Sequence, residues 1–252
     1  MGKVKFNPLD FSNKKIMVTG ASSGIGRATA IYLSKLGAQL VLIGRNEERL
    51  KATLEKLSGE KHILITADLA ELEDMKDIFM QAVSDQIKLD GLVHSAGIPY
   101  IMPLKNITRK RLLEGFNINY FAFIELCRQY EKSKFSNDGS IVGISSVASE
   151  KGSKCQTVYS ATKSALDVSV QTLSIELAKK NIRINTVAPG MIDTEIIGST
   201  SDLGGDLEIL GKSQLLGVGE PDDVAACIAF LLSDMSKFIT GRRIFVDGGS
   251  FL

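Results

Sequence analysis

Apolar and polar positions along the chain fall into a repeating order: short apolar runs, each followed by a longer stretch with helical spacing. The runs at 15–19, 39–43, 62–66, 92–94, 140–144, 183–187 and 243–246 read as strands. Several are apolar at successive rather than alternate residues, as in Leu40-Val41-Leu42-Ile43. That is the pattern of strands buried on both faces. Between them, 27–36, 47–57, 72–86, 109–131, the segment carrying Tyr159 and Lys163 on to about 180, and 221–232 repeat apolar residues at the three- and four-residue spacing of helices. Pro221 opens the last of these, in the first helical turn, where a missing amide leaves no bond unmade. Strand-then-helix order, repeated, predicts an α/β fold with a mostly parallel, doubly wound seven-stranded sheet and helices on both faces.

Composition changes this picture little. No Pro/Ser-rich linker, charge block or internal repeat divides the chain, so residues 1–252 read as a single domain. The net charge of +1 suggests neither a nucleic acid nor an anionic membrane as partner. No apolar run reaches the length of a membrane span. The first residues lack a signal-peptide core, and Phe6 stands where an N-myristoylation signal needs Ser or Thr. Cys127, Cys155 and Cys227 are scattered, which fits a reducing compartment, so a cytoplasmic location is expected. With only His62 and His94 besides, no metal-ligand spacing exists and no metal is expected.

The chemistry sits at the ends of the strands. The first runs into Gly20-Ala21-Ser22-Ser23-Gly24-Ile25-Gly26 and then into a helix. A strand, a glycine-rich turn and a helix N-terminus together present unpaired amides and a dipole to an anion, and glycine lets the backbone approach it. Asp68, Ser95 to Gly97, Ser146 and Pro189-Gly190 each follow a strand, and strand ends of one parallel sheet share one rim. Tyr159 and Lys163 are four apart, hence one turn apart on one helix face. An adjacent ammonium favours a phenolate; moving a phenol by about three pKa units towards neutrality needs about 4 kcal/mol. Taken alone, such a pair also describes a half-buried tyrosine beside a snorkelling lysine.

Together these residues resemble the short-chain dehydrogenase/reductase family in its single-domain branch, over about 11–252. The resemblance implies a Rossmann-type fold. It also implies a cofactor site made by Gly20, Ser22, Ser23, Gly24, Ile25 and Gly26, by Asp68 and Leu69, by Ser95, Ala96 and Gly97, and by Pro189, Gly190, Ile192 and Thr194. The implied catalytic residues are Asn119 (Asn117 being the other register), Ser146, Tyr159 and Lys163. Ser146 would hold the substrate oxygen and Tyr159 would transfer the proton. Lys163 would lower the Tyr159 pKa and bond the nicotinamide ribose, and Asn119 would hold a water leading to solvent. Asp247-Gly248-Gly249 matches the family's C-terminal signature. The chain departs from the pattern at His94-Ser95, where two asparagines are usual, and at Gly217, where Arg is frequent. His94 is expected to replace a structural hydrogen bond through a ring nitrogen.

Cofactor choice is read after the second strand, where Gly44 stands in place of the acid that binds the ribose of NAD, and Arg45 follows. Arginine suits a phosphate, so NADP(H) is expected over NAD(H). For the substrate, Pro99, Tyr100, Ala148, Cys155, Gln156 and Met191 are candidate pocket residues, and 195–214 is a candidate lid. Family likeness makes a 3-oxoacyl-(acyl carrier protein) reductase the leading specific reading, with Lys179 and Lys180 as the basic residues an acidic carrier would want. Another small ketone, sugar or polyol is the alternative, and a non-catalytic NADP-binding regulator is the alternative of a different class. The family commonly forms tetramers. Apolar residues on several faces of the two long helices, Phe121, Phe123 and Leu126 on one and Leu166, Val170 and Leu173 on the other, lead to the expectation of a homotetramer.

Overall fold

The computed structural model describes residues 8–195 and 214–250. The strands are β1 (Lys15–Thr19), β2 (Gln39–Gly44), β3 (Ile63–Thr66), β4 (Leu89–His94), β5 (Ser136–Ile144), β6 (Ile182–Pro189) and β7 (Arg243–Val246). The α-helices are α1 (Gly24–Lys35), α2 (Glu47–Leu54), α3 (Met75–Ala82), α4 (Arg109–Phe116), α5 (Ala122–Tyr130), α6 (Thr157–Leu177) and α7 (Pro221–Leu232). All seven expected strands are present, in one sheet ordered β3-β2-β1-β4-β5-β6-β7. Every pairing is parallel, so the expected "mostly parallel" sheet is wholly so.

Alternate residues of each strand feed two separate cores, which is why the strands read as unbroken apolar runs. Met17, Val41, Ile43, Leu92 and Ile141 face one layer, with Phe79 of α3, Phe123 and Leu126 of α5, and Leu166 and Val170 of α6. Ile16, Val18, Leu40, Leu42 and Val142 face the other, with Ala30 and Leu33 of α1 and Val224, Ile228 and Leu231 of α7. The helix boundaries expected from spacing run long. The 47–57 helix ends at Leu54, and 72–86 resolves into a short 3-10 turn followed by α3. The expected 109–131 helix is one continuous rod with a π turn at Asn117–Phe121 between α4 and α5.

This order puts a topological switch beside β1. The chain leaves β3 on one side and returns to form β4 on the other, opening a crevice at the carboxyl ends of β1 and β4.

Candidate active site

Into that crevice β1 delivers Gly20, in the left-handed region at φ +67, where a Cβ would lie 2.7 Å from the Ala96 nitrogen. The turn after β1 thus touches the backbone of the loop after β4, and only glycine permits it. Gly26 is buried behind the turn, where a Cβ would stand 2.3 Å from the Gly20 oxygen, so α1 packs directly on the turn that feeds it. Ser23 caps α1 without a side-chain bond to it. From outside, Arg27 donates through Nη2 to the Ser22 carbonyl, and the Thr53 hydroxyl donates to the Ala21 carbonyl at 2.9 Å. The result is a braced loop with a helix N-terminus aimed along a cleft of about 360 Å³.

Most residues singled out in the sequence line this cleft. Gly20, Ser22, Ser23, Gly24 and Ile25 line it from the glycine turn, Arg45 and Leu69 from just past the ends of β2 and β3, and Ser95, Ala96 and Gly97 from the loop after β4. Ser146, Tyr159 and Lys163 line it as well, and so do Pro189, Gly190, Ile192 and Thr194. Gly26, Asp68 and Asn119 do not line it. Asp68 lies at the edge, its carboxylate 3.9 Å from the Arg45 guanidinium. Of the candidate pocket residues, Pro99, Gln156 and Met191 line the cleft and Tyr100, Ala148 and Cys155 do not. The Tyr100 hydroxyl is instead 2.5 Å from Glu114. The candidate lid, 195–214, lies outside the described residues except at its two ends. Those ends are fixed: Glu195 pairs with Arg27 and Arg49, each at 3.1 Å, and the Gln214 amide bonds both the amide and the carbonyl of Met191.

Helix α6 carries the tyrosine–lysine pair, with the Lys163 ammonium 5.7 Å from the centre of the Tyr159 ring. Lys163 is 4% exposed and donates to the Ile144 carbonyl at 2.6 Å. Burial lowers its pKa to about 8, and the carboxylate of Asp167 works against that fall. Tyr159 corrects an expectation. Its pKa is raised rather than lowered, because burial outweighs the hydrogen bond with the Ser146 hydroxyl that favours the phenolate. At neutral pH the phenol therefore holds its proton, which is the form that donates one. Ser146 follows β5 and accepts from the Ala148 amide at 3.1 Å, capping the short turn Val147–Ser149.

Asn119 sits in the π turn, fully buried. Its amide pairs with the Ile98 peptide like a strand neighbour, accepting from the nitrogen at 2.8 Å and donating to the oxygen at 3.1 Å. It also donates to the Thr162 hydroxyl at 3.1 Å. Its side chain therefore acts on the loop beside Lys163 rather than reaching the cleft. His94 makes the ring-nitrogen bond expected of it: Nδ1 lies 3.1 Å from the Thr19 hydroxyl, which also accepts from the Ala96 amide at 3.2 Å. Full burial, and secondarily the charge of Lys163, holds its pKa down to about 3, so it is neutral.

The family model described as "Enoyl-(Acyl carrier protein) reductase" matches residues 20–250. The chain belongs to the short-chain dehydrogenase/reductase family. The glucose 1-dehydrogenase of Gluconobacter oxydans is 35% identical, covering 95% of this chain and 92% of its own. The 3-oxoacyl-(acyl carrier protein) reductase of Rickettsia conorii is 34% identical, covering 97% and 99%. A crystal structure of a short-chain dehydrogenase/reductase from Brucella melitensis, titled a glucose/ribitol dehydrogenase, superposes with a TM-score of 0.90 at 33% identity, covering 96% and 98%. As a member of this family the protein is an oxidoreductase acting on CH–OH or carbonyl groups with a nicotinamide dinucleotide. The glycine turn fits such a group, since Gly20, Ser22, Ser23, Gly24 and Ile25 line the cleft where α1 begins.

Gly44, read as the place of the missing acid, lines the cleft too, and several other cleft residues escaped the sequence reading: Ile98, Ile101, Ile118, Ile144, Ala67 and Ser145. Single isoleucines carry no signal of their own, because burial at a pocket and burial in a core select the same residue. Among the described residues, no cluster of three or more His, Cys, Asp or Glu side chains is arranged to hold a metal.

Proposed function

We propose that the protein is an NADP(H)-dependent oxidoreductase that interconverts a carbonyl and a secondary alcohol, with a 3-oxoacyl thioester as the first substrate to test. The observation that carries the reading is the convergence of Ser146, Tyr159 and Lys163 on the wall of a cleft that begins at a glycine-lined helix N-terminus. The nicotinamide supplies the hydride when bound. Gly20 to Ile25, Ser95 to Gly97, and Pro189 to Thr194 would hold the cofactor. The Ser146 hydroxyl would bond the substrate oxygen and polarise the carbonyl. Tyr159, protonated at neutral pH, would give that oxygen its proton, and the Lys163 ammonium would stabilise the phenolate left behind. Lys163 would also bond the ribose.

Preference for NADP(H) is supported by Gly44 and by Arg45, 66% exposed at the end of the cleft. An acyl carrier protein as partner is supported by the reductase relative and by the exposed Lys179; Lys180 is engaged by Glu131 at 2.8 Å. A second reading, a sugar, polyol or small-ketone substrate, is favoured by the equally similar glucose 1-dehydrogenase. We also infer a homotetramer, working in the cytoplasm; no helix among the described residues is long and apolar enough to cross a membrane.

The test is loss of NADPH absorbance with a panel of carbonyls: 3-oxoacyl thioesters on a carrier protein and on a small thiol, diketones, keto-sugars and steroids. Turnover is expected with at least one of them, and Tyr159→Phe is expected to remove at least about a hundredfold of it. NADPH affinity should stay near the parent's, since only the transferable proton is lost. Activity of Tyr159→Phe within tenfold of the parent would assign the proton donor elsewhere.

A further inference from the structure

Behind the catalytic face of α6 lies a buried charged group that takes no direct part in the proposed hydride and proton transfer. Asp167, one helical turn beyond Lys163, is 6% exposed. One carboxylate oxygen accepts from the Thr186 hydroxyl at 2.7 Å. The other accepts from the Ser145 hydroxyl at 2.7 Å and from the Arg243 guanidinium at 3.1 Å. Arg243, on β7, also donates to the Ser149 hydroxyl at 3.1 Å and pairs with Glu150. Ser146 is thus flanked on both sides: Ser145 is tied to Asp167, and Ser149 and Glu150 are tied to the arginine that Asp167 pairs with.

We propose that Asp167 is a positioning residue for the reaction, fixing the main chain around Ser146 and keeping Lys163 protonated, with Arg243 of the last strand as its counter-ion. The inference rests on the function proposed above. A buried ion pair gives little net stability over apolar residues of the same size, so its effect is sought at the site. The groups facing Lys163 are few. On its own helix they are the Tyr159 ring and Asp167. From β4 comes neutral His94; the last residue of β5 supplies the Ile144 carbonyl; and from the π turn the Asn119 amide reaches the loop after β4. Asp167 is the carboxylate that opposes the loss of the lysine proton on burial.

The test compares the pH dependence of kcat/KM for carbonyl reduction in the parent, in Asp167→Asn, and in the double variant Asp167→Asn/Arg243→Gln. The double variant leaves no unpaired guanidinium and so guards against misfolding of the single one. In parallel, the lysine side-chain carbon resonances of the cofactor-free enzyme are titrated by NMR, with Lys163 assigned from its absence in Lys163→Ala. Removing the carboxylate is expected to move the alkaline limb and the Lys163 titration together to lower pH, by roughly one unit. A loss of rate that is uniform across pH, with the limb and the lysine titration unmoved, would overturn the proposal and leave Asp167 a purely structural residue. A parent enzyme that turns over no carbonyl would instead sink the proposed function. The NMR titration would still decide whether Asp167 governs Lys163.

Discussion

His94 holds an imidazole on the central strand of the sheet, fully buried beside β1 and neutral at physiological pH. Its folded pKa, about 3, lies below its ordinary 6.5, so between those values the unfolded chain binds a proton that the folded chain refuses. Stability therefore falls as pH drops from 6.5 towards 3, at up to about 1.4 kcal/mol per pH unit from this residue. His94→Asn removes that proton from the balance. The loss of stability between pH 6.5 and pH 5, read from urea midpoints, should be about 2 kcal/mol smaller in the variant than in the parent. Equal losses would place the acid sensitivity in other groups. At this scale the sequence was informative about identity and weaker about state. Ser146, Tyr159 and Lys163 stood out by their resemblance to the family's pattern, and all three line the cleft. The direction of the Tyr159 shift did not follow, because a helical spacing reveals the lysine next door but not the burial that outweighs it.

The turn between β2 and α2 is where an element is expected to choose the cofactor. Gly44 ends β2, and a Cβ there would come 3.2 Å from Leu50 and 3.4 Å from the Ser22 hydroxyl, so a side chain at this position would crowd the glycine turn. Asn46 caps α2 through its side chain and fixes the start of the helix, leaving Arg45 on a short, well-anchored bend. NADPH is expected to bind more tightly than NADH, and Arg45→Asp to move the preference towards NADH by at least about tenfold, measured by fluorescence titration of each dinucleotide. Equal affinities in the parent would remove the reading. This turn was legible because its chemistry lies in consecutive residues. The π turn at Asn117–Phe121 was not, since one extra residue shifts the apolar spacing of 109–131 by no more than the ordinary alternation of three- and four-residue steps. What marks it in the structure is a buried asparagine facing the Ile98 peptide from another loop, a partner that local sequence does not contain.

At the scale of the whole molecule, the apolar faces of the two long helices divide between core and surface. Phe123, Leu126, Leu166 and Val170 are buried within the chain, so they explain the core and not an interface. Other residues carry the expectation of a tetramer. On α6, Val168 and Ile175 are 62% and 73% exposed and lie seven residues apart on one face, and Phe121 of the π turn is also exposed. Light scattering at micromolar concentration should report four copies, and Val168→Glu with Ile175→Glu should yield smaller species. A monomeric parent would refute the assembly. The sheet order was less legible than its strands, because periodicity fixes which faces are apolar but not which strands are neighbours. The contact between Gly20 and the Ala96 backbone depends on that order, and it has a consequence for the time course of folding. The Thr19–Ala96 hydrogen bond spans 77 residues. Synthesis through β3 completes the glycine turn and its helix, yet the wall it leans on does not exist until β4 has been made and inserted beside β1. Nascent chains shorter than this can present the turn but no crevice. Dinucleotide binding should therefore appear late during translation, and loop closure over such a separation places this protein among slower-folding topologies.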